Sequence, residues 1–173
     1  ISLFSALIAH HGVEWFEDYI VKLKTNLSRK PQGNDRDQVK AIYAGVCDVS
    51  IGNHYYYFKM MDDPNQIIWL EKVSPIFPNQ DSYGSHVNIS GIAIINNKNY
   101  DASIDFLEFL LSEEAQKIFA NDNNEFPVNV NVKASERVQA QANNAKFDSI
   151  DLQEIASNRK AVLDILNKIN FDG

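Results

Sequence analysis

Two apolar periodicities alternate along this chain, and that alternation limits the folds open to it more than any other feature. Leu3, Phe4, Leu7 and Ile8 recur at helical spacing up to His11-Gly12, where a glycine follows residues suited to the negative end of a helix dipole. Val13, Phe16, Ile20, Leu23 and Leu27 carry the 3.6-residue period onto a second helix, which the turn chemistry of Arg29-Lys30-Pro31-Gln32-Gly33 ends. Asn34 or Asp35 is a good cap for a third, with Val39, Ile42 and Tyr43 facing inward and Gly45 closing it. The pattern then changes. CDVSI (47–51), Ile67 to Leu70, VNISGIAII (87–95) and Phe126-Pro127-Val128 read as strands, and residues 73–85 have the Pro, Gly and Asn content of an irregular crossing loop. Asn53 caps a helix over HYYYFKMM, Ser103 to Leu111 carries an apolar stripe, and Ser112-Glu113-Glu114 opens another helix with acids in its first turn. A polar, Asn-rich linker around 140–149 precedes a terminal helix from about Ser149. Helices alternating with strands make the expected class α/β, a mixed sheet flanked by helices.

The 173 residues amount to about one domain. No apolar stretch reaches the roughly 20 residues that crossing a bilayer requires. Lys plus Arg number 16 and Asp plus Glu 23, a net charge of −7, which argues against a phosphate-tracking surface, so no nucleic-acid partner is expected. The single Cys47 leaves no internal disulfide framework and no CxxC zinc or redox site. The opening ISLFSALIAHHG has no Met, no basic n-region and no small-residue cleavage site, and reads as the start of a fragment or processed product.

GxSxG, HExxH, GxxxxGK[ST] and GxGxxG are all absent, so a binding protein is expected in preference to an enzyme. His10 and His11 are adjacent, not four apart, and read as the end of a helix and not as a metal pair. The unusual cluster is Asn53-His54-Tyr55-Tyr56-Tyr57. Composition alone points to aromatic packing. Geometry opens a second reading. On a strand Tyr55 and Tyr56 would face opposite sides, whereas at a helix start they lie about 100° apart and their hydroxyls can converge on an ion off the helix end. The partial positive charge there favours the phenolate. A phenolate is a hard, anionic donor that ferric iron matches; zinc and copper favour imidazole or thiolate, and calcium favours several carboxylates, of which this segment offers Asp48, Asp62 and Asp63. His54 is expected to face solvent, with a place directly behind the two tyrosines as its other reading.

The blocks ALIAHHG (6–12), SRKPQGNDRDQVKAI (28–42), DVSIGNHYYYFKM (48–60), FPNQDSYGSHVNISGIAI (77–94) and FLEFLLSEEAQKIFANDNNEFPV (106–128) resemble, in collinear order, the C-terminal half of the periplasmic ferric-iron-binding proteins of ABC importers. The resemblance implies one lobe of a two-lobe periplasmic-binding-protein-like fold. Residues 1–85 would form the ligand-binding lobe, 86–132 a hinge strand and helices packing with an N-terminal lobe missing from this sequence, and 133–173 C-terminal helices returning to the first lobe. Carried over by position, Tyr55 and Tyr56 are the tandem ligands of Fe3+, Asn53 holds the motif's Asn position, and Tyr57 packs. Arg36 is expected to neutralise phenolate charge or hold a carbonate-like synergistic anion, with a surface salt bridge as its other reading. The implied setting is the periplasm, and the implied partner an ABC permease in the inner membrane. Apolar faces left open call for the missing lobe, a companion chain or a dimer that exchanges elements. The alternative ligand is an anion or small organic solute that the tyrosines stack on or hydrogen-bond.

Overall fold

Helices form wherever the apolar period and the end signals agree. In chain order they are α1 (Ser2–His11), α2 (Val13–Thr25), α3 (Asp35–Tyr43), α4 (His54–Met61), α5 (Tyr100–Leu111), α6 (Glu113–Asp122), α7 (Glu136–Gln141), α8 (Leu152–Ser157) and α9 (Arg159–Lys168). These come from a computed structural model that describes residues 1–95 and 99–172; residues 96–98, inside the expected 86–132 segment, and residue 173 lie outside the described residues. The chain divides into two units.

One unit comprises Ile1–Gly33, Phe77–Asn88 and Ala145–Gly173. Gly12, at φ +86°, separates α1 from α2 with a single residue: its N–H donates to the Ile8 carbonyl at 2.7 Å and its carbonyl accepts from Phe16 N–H at 3.1 Å. That sharp break folds the two apolar stripes onto α9. Ile8, Phe16, Ile20, Val162 and Ile165 form the core, bordered by Phe4, Leu23 and Phe171. Burying each large aliphatic or aromatic side chain there is worth about 1.5–3 kcal/mol. The terminal helix expected from Ser149 is instead two, α8 and α9, with Asn158 serving as the C-cap of the first and the N-cap of the second. Residues 77–88 are tied in by polar contacts. Ser85 N–H donates to the Lys146 carbonyl and Asp148 N–H to the Ser85 carbonyl, each at 2.9 Å. His10 Nε2 donates to Asp148 Oδ2 at 2.7 Å, and the Tyr83 ring stacks on His10 at 3.8 Å.

The other unit comprises Asn34–Ile76 and Ile89–Asn144. Asn34 caps α3 with a full capping box, its side chain accepting from Arg36 and Asp37 N–H while Asp37 accepts from Asn34 N–H. A 3-10 turn over Ile67–Lys72 packs on α3 and α4. The buried Gln116 uses both ends of its amide, donating to the Leu110 carbonyl and accepting from Val128 N–H, both at 2.8 Å, which joins α6 to the segment after it. Arg137 on α7 makes a two-pronged pair with Asp62 at the end of α4, at 2.9 and 2.8 Å.

The expected mixed sheet does not form among the described residues. Among them helix, the 3-10 turn included, accounts for 53 % and strand for 1 %, and pairing is confined to an isolated parallel bridge between Ser85 and Phe147. Residues 47–51, 87–95 and 126–128 run without a ladder, and the expected strand at Ile67 to Leu70 lies in the 3-10 turn. The cause is physical. A helix closes its own hydrogen bonds, but a strand's N–H and C=O groups need a neighbour, and short apolar runs do not reveal whether one exists. Ile89, Ile92 and Ile95 are each more than half exposed, and α5 has no buried residue.

Gly84 is where this arrangement tolerates no side chain. It sits at φ +97°, and a Cβ there would lie 2.7 Å from the Lys146 carbonyl oxygen. Gly84→Ala is expected to cost about 1–3 kcal/mol in urea denaturation. Gly91→Ala, with no atom within 4 Å of the new methyl, should change stability by less than about 0.5 kcal/mol.

Candidate functional site

The N-terminal ends of α3 and α4 are brought together by one carboxylate. Because Asn34 and Asp37 satisfy the start of α3, Asp35 is available to face the turn before α4. Its Oδ1 accepts from Asn53 N–H at 2.7 Å and from Asn53 Nδ2 at 3.1 Å. Gly52 makes the approach possible, since a Cβ there would stand 3.3 Å from the same oxygen. Asn53 is the N-cap of α4 by position, but its side chain makes no capping bond, being committed to Asp35.

Tyr55 and Tyr56 follow in the first turn. Their ring centroids are 4.5 Å apart at an interplanar angle of 39°, so the two phenols lie on one side of the helix start and do not diverge. Both are half-buried. The structure brings Arg36 to the same place: its guanidinium carbon is 5.8 Å from the centre of the Tyr56 ring, and Nη1 donates to Gln66 Oε1 at 3.3 Å. Lys59 lies 6.0 Å from the Tyr55 ring. Tyr57 stands edge-on to the buried Phe58, 5.6 Å between centroids.

The first expectation about charge is reversed. Burial pushes the Tyr55 phenol up to about 12, helped by its hydrogen bond with Tyr56 and by the nearby charges of Tyr56, Asp35 and Glu125. Those effects outweigh the partial positive charge of the helix end, so Tyr55 keeps its proton at neutral pH. His54 also departs from expectation. It does not face solvent: its Nε2 donates to the Asn124 carbonyl at 2.9 Å and its ring lies 5.0 Å from Phe126. Burial draws its pKa below the ordinary value, more than the Asn124 bond raises it. Asp35, Asn124 and Glu125 were not singled out from sequence as site residues. Asp35 did read as a cap candidate, and Asn124 has the one local signal available, an Asn in a run that can take the left-handed conformation it adopts at φ +59°.

Two half-buried phenols beside a guanidinium make a site that can bind an ion or a small polar ligand. Residues 36–146 match the bacterial extracellular solute-binding proteins, and the chain belongs to that family. Within it, the chain is 45 % identical over 133 residues to Iron uptake protein A2 of Synechocystis, an alignment covering 74 % of this chain and 38 % of that protein. Its structure is similar to that of the apo Ferric ion-Binding Protein A of Pasteurella haemolytica, with a TM-score of 0.95 and 43 % identity, over 99 % of this chain and 54 % of that one. It is also similar to a Trichodesmium protein solved in complex with iron and citrate, with a TM-score of 0.87 and 35 % identity, over 98 % of this chain and 54 % of that one. The chain spans about half the length of these relatives, or less.

The raised phenol gives a direct check. Unfolded, Tyr55 should titrate near 10.0; folded, near 12. Its contribution to stability is therefore complete below pH 10 and lost as pH rises through the folded value. Absorbance titration of the metal-free protein should show a late phenolate step that Tyr55→Phe removes.

Proposed function

We propose that this chain is the ferric-ion-binding component of an ABC iron importer, working in the periplasm and delivering Fe3+ to an inner-membrane permease. The observation that carries this reading is the tandem pair Tyr55 and Tyr56 at the start of α4, in a chain similar to proteins named for iron uptake and ferric ion binding. Tyr55 and Tyr56 supply two phenolate ligands. Arg36 offsets their negative charge or holds a carbonate-like synergistic anion, and Asn53, fixed by Asp35, sets the turn from which the pair projects. Capture needs no covalent chemistry, so the chain acts as a carrier and not as an enzyme.

Proton displacement is the central step. Fe3+ binding removes a proton from each phenol, and a trivalent cation supplies the charge needed to do so from a group as reluctant as Tyr55. Apparent affinity should therefore fall as pH falls, by roughly tenfold per pH unit for each proton displaced. A second lobe, on the same polypeptide or a companion, would cover the exposed Ile89 and Ile92 and the Phe106 and Phe109 face of α5, and would supply the remaining ligands. Closure of the lobes buries the ion, and docking on the permease biases reopening.

Ferric loading should produce a visible phenolate-to-iron charge-transfer band. The Tyr55→Phe, Tyr56→Phe double variant should lose it. A colourless loaded protein, or a band unchanged in the double variant, overturns the reading. Calorimetry with ferric citrate against a panel of anions and small organic solutes separates it from the other ligand class.

A further inference from the structure

We infer that His54 is a positioning residue for the tyrosine pair, its Nε2–H bond to the Asn124 carbonyl fixing the first turn of α4 and so the direction in which Tyr55 and Tyr56 present their hydroxyls; this rests on the pair being the ferric ligands.

The need for such an anchor comes from α4 itself. The helix has eight residues, about two turns, and its N-cap side chain makes no capping bond. A helix that short does not hold its ends by internal hydrogen bonds alone, so tertiary contacts decide where its first turn lies. On the preceding side the Asp35 clasp fixes Asn53. Tyr55 comes two residues later. Between them, the first helical residue is His54.

Its imidazole is seated on several sides. Nε2 donates to the Asn124 carbonyl at 2.9 Å, the ring meets Phe58 edge-on at 6.2 Å and Tyr55 edge-on at 5.9 Å, and Phe126 lies 5.0 Å away. The acceptor is itself held. Asn124 is fully buried at φ +59°, its Oδ1 accepts from Ser135 Oγ at 3.4 Å, and the residues on either side are tied down by Lys59 Nζ to Asn123 Oδ1 at 3.0 Å and by Glu125 N–H to the Phe119 carbonyl at 3.2 Å. The bond thus joins the uncapped first turn of a short helix to a point fixed by the end of α6. Two ligands on adjacent residues must reach one ion together, and a swing of the first turn would spoil both at once.

Four measurements on the intact protein test this. His54→Phe keeps an aromatic ring in the seat but has no donor, whereas His54→Gln keeps an N–H donor. In the metal-free state, His54→Phe should change the near-ultraviolet circular dichroism of the paired tyrosine rings, and after ferric loading it should release iron to citrate about tenfold faster than wild type and shift the charge-transfer band. His54→Gln should restore all three. A His54→Phe variant that matches wild type in dichroism and release, or a His54→Gln variant as impaired as His54→Phe, overturns the inference. The imidazole of the wild type, read by nitrogen NMR, should be the Nε2–H tautomer with a protected proton; the Nδ1–H tautomer overturns it even where a variant does not fold. Failure of the ferric reading would show instead as a colourless loaded wild type or as a band that survives in the Tyr55→Phe, Tyr56→Phe variant, and the metal-free dichroism still decides the role of His54.

Discussion

One carboxylate, that of Asp35, joins the two helix starts on which the candidate site is built. It is free to do so because Asn34 and Asp37 complete the end of α3 between them, and it reaches Asn53 because Gly52 leaves room. The same oxygen that places the turn before Tyr55 also adds negative charge near the Tyr55 phenol. Placement and proton retention are therefore not separate properties of this site. The interaction that aims the phenol helps to keep it neutral, after burial, which contributes most.

How much of this could be read in the sequence follows the range of the interactions. The end of α1 at His11-Gly12 and the start of α3 at Asn34 or Asp35 depend on groups within four residues, and both were legible. The tandem tyrosines were legible as a pattern because adjacency in sequence at a helix start is adjacency in space. Their protonation was not, because burial and the charges of Asp35 and Glu125 are set by distant chain. His54 was misread for the same reason: its partner Asn124 lies 70 residues away. The sheet failed on a different ground. Strand is a property of a pair of segments, and runs such as 87–95 carry strand-forming residues without saying what they pair with.

A TM-score of 0.95 to a solved relative and the lack of a ladder among the described residues are compatible. The first measures the path of the backbone; the second, whether a neighbouring backbone meets it. Ile89, Ile92 and Ile95 follow their course with side chains exposed, and α5 presents Phe106 and Phe109 to solvent, so the described residues hold their trace mainly by loops and helices. Local anchors have to do that work. Gln116, spanning Leu110 and Val128, and the Asp148 carboxylate, 4 % exposed and gripping His10, are anchors of this kind: polar groups fully used in places where an unused one would be costly.

A phenol that resists deprotonation looks at first like a poor ligand, yet for a carrier of Fe3+ it would act as a filter. Each candidate cation must recover, through its bond to the oxygen, the free energy of removing a proton from a group held near 12. A trivalent ion concentrates more charge at that oxygen than a divalent one and loses less of its advantage to the proton. Raising the phenol's proton affinity penalises every metal equally, but the weakly polarising ones then fall below useful binding first. The guanidinium of Arg36 lies 5.8 Å from the centre of the Tyr56 ring, close enough to attract a negative charge brought to the site. Burial and the nearby carboxylates, which hold the proton on Tyr55, would leave the incoming ion's charge to decide whether that proton is displaced.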